Sequence, residues 1–335
     1  MTIRKSNTDY WLLFFGSERW VQVTAFDIEI SEVGPRDGLQ SIKQIMPTEA
    51  KKRWITALAA AGMPEIEVGS FVPASVLPQL ADTAEITRFA KTIEGLAVAV
   101  LVPNFRGAEG AVAAGADKIT IPLSVSETHS LKNVRRTHAQ MLDEVRRIRA
   151  LLDTLPTAQR PKFEGGLSTC FGCTLEGNVA EDKVVEMAAA LMAAGCDEVG
   201  LSDTTGFGSP LQVKRLTQRV WAEVGRKQLT GIHLHNTRGQ GLANALAAVE
   251  VGLTTVDASM GGIGGCPFAP GASGNIITED LVFLLESMGL KTGINFEGLM
   301  AARKLLSEAL PDVELYGFTP DAGLPKGFEM ATPQG

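Results

Sequence analysis

One arrangement of apolar and polar positions recurs along the chain. An Ala-rich stretch with helical spacing ends in glycine, and a β-branched run begins about four residues later. A glycine suits the left-handed position that closes a helix, and the β-branched run is typical of a strand. The pattern therefore predicts repeated joints between a helix and the strand that follows it. The glycines are Gly62, Gly115, Gly195 and Gly252, and the strands restart at Ile66, Ile119, Val199 and Val256.

The intervals between these joints complete a set of eight strands. Helical patterns such as "QMLDEVRRIRALL" separate them, and one more helical pattern follows the last strand. Eight such units over about 250 residues predict the α/β class and a (β/α)8 TIM barrel. An open, doubly wound sheet is the alternative, but no Gly-x-Gly-x-x-Gly follows the first strand. The strands are expected near residues 27–33, 64–69, 96–102, 117–122, 163–169, 197–202, 230–235 and 254–259.

Both ends of the chain extend beyond this repeating unit. Residues 1–24 precede the first strand, and we expect a loosely attached N-terminal extension there. The barrel domain is expected to occupy residues 25–292. Residues 293–335 contain the helical pattern "FEGLMAARKLLSEAL" and then a tail rich in Pro and Gly. The sequence thus predicts a TIM barrel with an N-terminal extension and an extra C-terminal helix and tail.

Charge and composition narrow the class of partner. The net charge of -7 and the pI near 5.3 argue against nucleic acid or an anionic membrane, because both require clustered Lys and Arg. No apolar run approaches the roughly 20 residues that a membrane span needs, and none resembles a secretory signal. Four cysteines in a chain of this length do not suggest a disulfide framework. These features favour a cytoplasmic protein that acts on a small molecule.

Two strand ends carry candidate catalytic chemistry, since TIM-barrel active sites lie at the C-terminal ends of the strands. The first strand ends in "GPRDGLQ", which presents Arg36 and Asp37. Sequence neighbours usually point apart, so we expect these opposite charges not to neutralise each other. The seventh strand ends in "GIHLHNTRG", where His233 and His235 share one face. A single strand histidine is more often a core residue, but two at the mouth favour a metal pair.

The loop after the eighth strand, "GGIGGCPFAPGASGN", is rich in glycine and ends with Asn275 at the start of a helix. A mobile surface turn without function is its alternative interpretation. Barrel closure places the eighth strand between the seventh and the first, so Asp37, His233, His235 and Asn275 can converge. A carboxylate, imidazoles and an amide oxygen form a mixed site suited to Mg²⁺ or Mn²⁺.

Further polar residues have two interpretations each. Glu67 stands between Ile66 and Val68, where a buried acid needs a partner, so it can orient Arg36 or lie at the solvated rim. Glu32 has the same two interpretations with less weight. We expect the Cys170 to Cys173 segment to be a plain loop and Cys196 to be buried. His129 and His138 are expected to face solvent, while Ser126 and Asn133 beside them can contact substrate.

Three segments, "EVGPRDGLQ", "HLHNTRGQGLAN" and "GGIGGCPFAPGASGN", resemble the 3-hydroxy-3-methylglutaryl-CoA lyase family from about residue 27 to 290. The resemblance implies retro-Claisen cleavage of a 3-hydroxyacyl-CoA to acetyl-CoA and a keto acid such as acetoacetate. It implies an essential arginine at Arg36, a mobile acid/base cysteine at Cys266, and a homodimer. Supporting positions fall on Gln40 and Glu67. The implied metal ligands are Asp37, His233, His235 and Asn275, and the catalytic set is Arg36, Cys266, His233 and Glu67.

The sequence departs from the common family pattern in two places. Asn236 follows the second histidine where many members have Asp, and "STCFGCTLEGN" differs from the usual Ser-x-x-x-Gly-Cys-Pro arrangement. A lyase for a different acyl-CoA, of the citramalyl-CoA or isohexenylglutaryl-CoA type, therefore remains an alternative. An acetyl-CoA condensing synthase is less favoured, because Cys266-Pro267 replaces the Glu-Arg of that group. A non-catalytic barrel is the remaining alternative.

Overall fold

Strands and helices alternate through the computed structural model, which describes residues 26–264 and 274–331 and, before these, the backbone of three short strands. The three strands pair antiparallel in a sheet of their own and occupy part of the predicted N-terminal extension. They are β1 (Arg4–Lys5), β2 (Trp11–Phe15) and β3 (Arg19–Val23).

The next eight strands are parallel and form a closed barrel, which confirms the predicted fold class. Each lies within a few residues of its predicted position. They are β4 (Glu29–Glu32), β5 (Glu65–Ser70), β6 (Ala97–Leu101), β7 (Lys118–Ser124), β8 (Lys162–Ser168), β9 (Glu198–Asp203), β10 (Gly231–Leu234) and β11 (Thr255–Ala258). Their order around the barrel is β10, β11, β4, β5, β6, β7, β8, β9, so β11 pairs with both β10 and β4.

Helices connect the strands, and left-handed glycines close several of them, as predicted. Gly115, Gly195 and Gly252 have φ of 83°, 117° and 109° at the ends of their helices. Among the described residues, no helix is long and apolar enough to cross a bilayer. The helices are α1 (Thr48–Ala60), α2 (Thr83–Ala90), α3 (Phe105–Ala114), α4 (Glu127–Asn133), α5 (His138–Asp153), α6 (Glu181–Ala194), α7 (Pro210–Val224), α8 (Gly241–Val251), α9 (Thr278–Ser287), α10 (Phe296–Ala309) and α11 (Phe318–Ala322).

The predicted C-terminal helix is present as α10, and it packs on the barrel rather than standing apart. The Asn295 amide donates to the Ala61 carbonyl at 2.7 Å, and a Cβ placed on Gly298 would lie 3.1 Å from that of Ala61. Glycine at this position therefore permits α10 to approach the end of α1 closely.

The barrel interior is hydrophilic at its N-terminal end. Lys118 Nζ lies 2.7 Å from Glu164, 3.5 Å from Glu65 and 3.6 Å from Glu198. Burial raises the pKa of Glu164 to about 7 despite the ammonium beside it. TIM barrels are usually filled by layers of branched apolar side chains. The floor of this cavity, formed by Lys118, Glu65, Glu164 and Glu198, is charged instead.

A buried acidic side chain, Glu32, links the segments that follow β4 and β11. Glu32 is fully buried and accepts hydrogen bonds from the Gly34 amide at 2.8 Å, the Met260 amide at 2.9 Å and the Thr278 hydroxyl at 2.7 Å. The solvated-rim interpretation of Glu32 is therefore wrong. Burial raises its pKa from 4.5 to about 8, so the proton is retained at neutral pH.

We expect Glu32 to make stability depend on pH. The unfolded chain releases this proton near pH 4.5, whereas the folded chain holds it to about pH 8, so folding stability falls as pH rises through that window. Glu32→Gln cannot ionise, so its thermal midpoint should decline less than that of the wild type between pH 5 and pH 8. Glu94→Gln, at an exposed position, is the control and should follow the wild type. Parallel pH profiles for Glu32→Gln and wild type would contradict the assignment.

Candidate active site

A tight turn follows β4 and brings the first two predicted site residues together. Residues Gly34–Gly38 form one π-helical turn, in which the Val33 carbonyl accepts from the amides of Arg36 at 3.1 Å and Asp37 at 2.7 Å. Arg36 Nη1 lies 2.6 Å from Asp37 Oδ1. The expectation that these charges do not meet was wrong, because it assumed the alternating geometry of a strand rather than a coiled turn.

Arg36 and Asp37 are each held by a second partner. Arg36 Nε donates to Glu67 Oε2 at 2.5 Å, and Gln40 Nε2 donates to Asp37 Oδ1 at 2.6 Å. Glu67 is only 5% exposed, which rules out the rim interpretation and leaves it as a buried partner of the arginine. These contacts use Nε and Nη1 of Arg36, which leaves Nη2 as a donor on a side chain that lines the cavity.

Asp37 also faces the two histidines. Its Oδ2 lies 3.9 Å from Nε2 of both His233 and His235, and the two Nε2 atoms are 3.1 Å apart. Two ring nitrogens at this distance cannot both carry a proton. Burial lowers the pKa of His235 to about 4, so this imidazole is neutral. The three ligand atoms lie within 4.8 Å of one another and can hold a metal ion.

Asn275, the fourth predicted ligand, adjoins this triad. Its Nδ2 donates to Asp37 Oδ2 at 2.8 Å and to the Ile263 carbonyl at 3.2 Å. Its Oδ1 is buried and has no hydrogen-bond partner among the described residues. A buried amide oxygen without a partner beside a carboxylate and two imidazoles fits a divalent cation such as Mg²⁺ or Mn²⁺.

Sequence reasoning missed Asp257, which positions His233. The two residues pair across β10 and β11, and His233 Nδ1 lies 3.1 Å from Asp257 Oδ2. Burial lowers the pKa of His233, but the hydrogen bond and charge of Asp257 outweigh it and the net pKa is raised. An acid near the end of the neighbouring strand, in "TTVDAS", was the available signal. A carboxylate on the far ring nitrogen directs the other nitrogen toward a metal.

These groups open into one cavity of about 640 Å³ that runs down the barrel from its mouth. Asn133 lines it, whereas Ser126 does not. The Ser126 hydroxyl accepts from the His129 amide at 3.1 Å and caps α4. Cys266 lies outside the residues that the structure describes. The lining includes Arg36, Asp37, Gln40, Glu67, His233 and His235.

The predictions for the two histidines after β7 and for the cysteines have different outcomes. His129 is 3% exposed and lines the cavity, so the expectation that it faces solvent was wrong. His138 is also partly buried, with Nε2 at 2.8 Å from the Ser124 carbonyl. No local pattern predicted α4, the helix that turns His129 inward. Cys196 is buried, as expected, and Cys170 and Cys173, expected in a plain loop, are also buried and free.

The comparisons with known proteins all indicate the same enzyme family. The HMGL-like family model matches residues 27–306. The mitochondrial hydroxymethylglutaryl-CoA lyase of Gallus gallus is 40% identical, over 84% of this chain and 93% of that protein. The cytoplasmic 3-hydroxy-3-methylglutaryl-CoA lyase of Mus musculus is 39% identical, over 84% of this chain and 81% of that protein.

A solved structure extends the agreement to three dimensions. The HMG-CoA lyase from Acinetobacter baumannii, in complex with coenzyme A and 3-methylmalate, matches with a TM-score of 0.85 and 38% identity. The match covers 92% of this chain and 99% of that chain. Sequence and fold therefore agree over nearly the whole relative.

The closed barrel and the carboxylate-imidazole cluster at its mouth define the chain as a barrel enzyme whose site can hold a metal ion. With the matches above, the chain belongs to the HMGL-like family. It is a carbon–carbon lyase of the hydroxymethylglutaryl-CoA lyase type. This confirms the family predicted from the sequence motifs.

We expect Asp257 to govern metal affinity through His233. Asp257→Ala removes the carboxylate that holds the imidazole, so Mn²⁺ should bind about 10- to 100-fold more weakly, as is usual for such partners of metal-binding histidines. Asp257→Asn retains an acceptor and should fall between this variant and the wild type. Equilibrium dialysis with Mn²⁺ measures the affinities, and wild-type binding by Asp257→Ala would show that the contact is incidental.

Proposed function

We propose that this chain cleaves 3-hydroxy-3-methylglutaryl-CoA to acetyl-CoA and acetoacetate with the help of Mg²⁺ or Mn²⁺. The observation that carries the proposal is the convergence of Asp37, His233 and His235 beside a cavity-lining arginine, in a chain similar to hydroxymethylglutaryl-CoA lyases. Cleavage breaks the bond between C2 and C3. The 3-hydroxyl group loses its proton, and C2 of the departing acetyl-CoA gains one.

Asp37, His233, His235 and Asn275 are the residues that would hold the ion. Bound there, a divalent ion supplies a Lewis acid for the 3-hydroxyl group of the substrate. The neutral state of His235 keeps a ring nitrogen available for binding, and the ionised Asp37 provides the matching charge. Burial alone would raise the pKa of Asp37, but Arg36 and the two histidines lower it well below its usual range.

Arg36 is assigned to the charge that develops on the thioester. As the C2–C3 bond breaks, negative charge moves to the thioester oxygen of an enolate, and a fixed cation nearby stabilises it. The bonds from Arg36 to Glu67 and Asp37 hold the guanidinium before the reaction begins, so little reorganisation is needed. We place Glu67 in the catalytic set as the residue that positions Arg36.

Two proton transfers complete the reaction. We assign the proton of the 3-hydroxyl group to the carboxylate of Asp257, which lines the cavity beside His233. His233 would act through the ion that it holds, because one ring nitrogen would bind the ion and the other contacts Asp257. We assign protonation of the enolate carbon to Cys266, on the basis of the family motif around it. A thiol is a suitable donor to carbon when a loop brings it near.

The remaining assignments follow from the sequence pattern and from the family resemblance. Gln40 and Asn133 line the cavity and are placed against the acyl-CoA, and Ser126 supports that wall through its cap on α4. Coenzyme A is bound in the Acinetobacter baumannii relative, which supports an acyl-CoA substrate here. We further propose a homodimer, a cytoplasmic location, and domain limits at residues 1–24, 25–292 and 293–335.

We expect cleavage to require a divalent cation. Protein treated with EDTA should release no acetyl-CoA from 3-hydroxy-3-methylglutaryl-CoA, and Mg²⁺ or Mn²⁺ should restore release, because the cluster then regains its ion. His235→Ala should stay inactive after metal addition, whereas His138→Ala, which removes an imidazole outside the cluster, should remain active. Full turnover by metal-free protein would exclude the proposed role of the site.

Arg36→Lys should separate catalysis from binding. The ammonium keeps the charge but cannot contact Glu67, Asp37 and a substrate oxygen in one plane, so kcat should fall on the order of 10² or more. The KM should change far less, because the lost interaction belongs to the transition state. Steady-state kinetics decide the matter: a near-normal kcat with a raised KM would reassign Arg36 to substrate binding.

A further inference from the structure

Asn275 can offer its side-chain oxygen to an ion only while its nitrogen is held elsewhere. The Nδ2 atom donates to Asp37 Oδ2 at 2.8 Å and to the Ile263 carbonyl at 3.2 Å. A rotated amide would bring its oxygen against two acceptors, so these contacts fix which end of the amide faces the cluster. Asp37 belongs to the cluster itself. The Ile263 carbonyl is therefore the contact through which more distant residues can influence how Asn275 is presented.

A tight turn places the Ile263 carbonyl. Gly261 and Gly262, which precede it, have left-handed backbone with φ of 65° and 66°, a conformation that strains other residues. The segment that carries Asn275 packs directly on this turn, because a Cβ placed on Gly274 would lie only 1.7 Å from the Gly262 carbonyl oxygen. A shift of the turn would therefore move the Asn275 side chain and the carbonyl that holds it.

The backbone of Gly261 is held on both sides by residues from the C-terminal part of the chain. Its amide donates to the buried Glu279 carboxylate, in the first turn of α9, at 3.0 Å. Its carbonyl accepts from the Tyr316 amide at 2.9 Å. Tyr316 lies in residues 310–317, the segment between α10 and α11, which we call the C-terminal arm. Leu315 of this arm covers the turn, since a Cβ placed on Gly261 would lie 3.0 Å from the Leu315 Cβ.

One side chain on α10, Arg303, joins these supports. Its Nη1 donates to Glu279 Oε1 at 2.7 Å and to the Tyr316 carbonyl at 3.0 Å. Its Nη2 donates to the Leu315 carbonyl at 3.1 Å. The Arg303 side chain is 12% exposed and that of Glu279 is fully buried, so solvent screens the ion pair weakly. Arg303 does not line the described cavity, so an influence on the site must pass through the turn.

We propose that Arg303 is a positioning residue for the ion site, because it fixes the Ile263 carbonyl that orients Asn275. The inference rests on the proposed function for the presence of a divalent ion at the cluster. A planar guanidinium can donate to a carboxylate and to two carbonyls at once, which suits it to hold Glu279 and the C-terminal arm together against Gly261. A lysine at this position could keep the carboxylate but not both carbonyls.

The test measures the affinity of the full-length protein for Mn²⁺ by equilibrium dialysis. Arg303→Met should weaken Mn²⁺ binding by about 3- to 10-fold, because Asn275 is no longer held in one orientation. Arg303→Lys should restore part of the loss. Lys304→Met is the matched control: it removes the neighbouring cation of α10, whose side chain is 79% exposed, and should bind Mn²⁺ like the wild type.

A second variant guards against misfolding, because Arg303→Met leaves Glu279 buried without its counter-charge. Arg303→Met combined with Glu279→Gln removes both charges and retains an amide oxygen that can accept from Gly261. Circular dichroism shows whether each variant is folded at the temperature of the dialysis. We expect the folded double variant to bind Mn²⁺ about 3- to 10-fold more weakly than the wild type, because the carbonyls of the C-terminal arm have lost their donor.

A double-mutant cycle separates positioning from a general structural effect. In a protein that already carries Asn275→Ala, the double change at Arg303 and Glu279 should alter the Mn²⁺ affinity by less than about 2-fold, because the oxygen that Arg303 positions is absent. A merely structural contribution of Arg303 would weaken binding equally with Asn275 and without it.

The remaining outcomes distinguish the inference from the proposed function. Wild-type affinity in the folded double variant, or an equal loss with and without Asn275, would overturn the inference and leave the proposed reaction intact. A wild type that binds no Mn²⁺ would exclude both the inference and the ion site. Conversely, a loss that depends on Asn275, in a protein that does not cleave 3-hydroxy-3-methylglutaryl-CoA, would support the inference and exclude the proposed reaction.

Discussion

The buried charge of Asp37 is the constraint on which the site depends. A carboxylate at this depth is stable only when donors and cations surround it. One oxygen is held by Arg36 and Gln40, and the other faces Asn275 and the histidine pair. Those partners come from three places that are distant in sequence. Asp37 can therefore be buried as a carboxylate only when the barrel is closed and β11 lies between β10 and β4.

The same closure explains the role of Glu32. This buried acid links the turn after β4 to the segment after β11 and to the start of α9. The turn carries Arg36 and Asp37, and the segment between β11 and α9 carries Asn275. A single carboxyl group thus connects the backbone on both sides of the cluster. Because its proton is retained at neutral pH, it does so without adding a second charge beside Asp37.

The barrel and the candidate metal site of Asp37, His233 and His235 were predictable because both follow from regular periods. Repeated helix-to-strand joints give the strand count, and a spacing of two places His233 and His235 on one face. The contacts that were not predicted lie where the regular pattern of strands and helices is interrupted. The π-helical turn pairs Arg36 with its neighbour Asp37, and α4 interrupts a stretch expected to be a solvated connection. Asp257 was missed because its partner is fixed by register between strands, which no local pattern specifies.

The charges inside the barrel are arranged so that an acyl-CoA has a preferred orientation. Fixed positive charge at Arg36 lies beside the cluster of Asp37, His233 and His235, whereas the floor around Lys118 carries an excess of carboxylates. In a cavity of low dielectric, such charges act more strongly than on the surface. Negative charge on a substrate would be repelled from this floor and drawn toward Arg36 and the cluster. The reacting bond of the substrate would then lie over the ion-binding residues, so the electrostatics that select the substrate would also align it for cleavage.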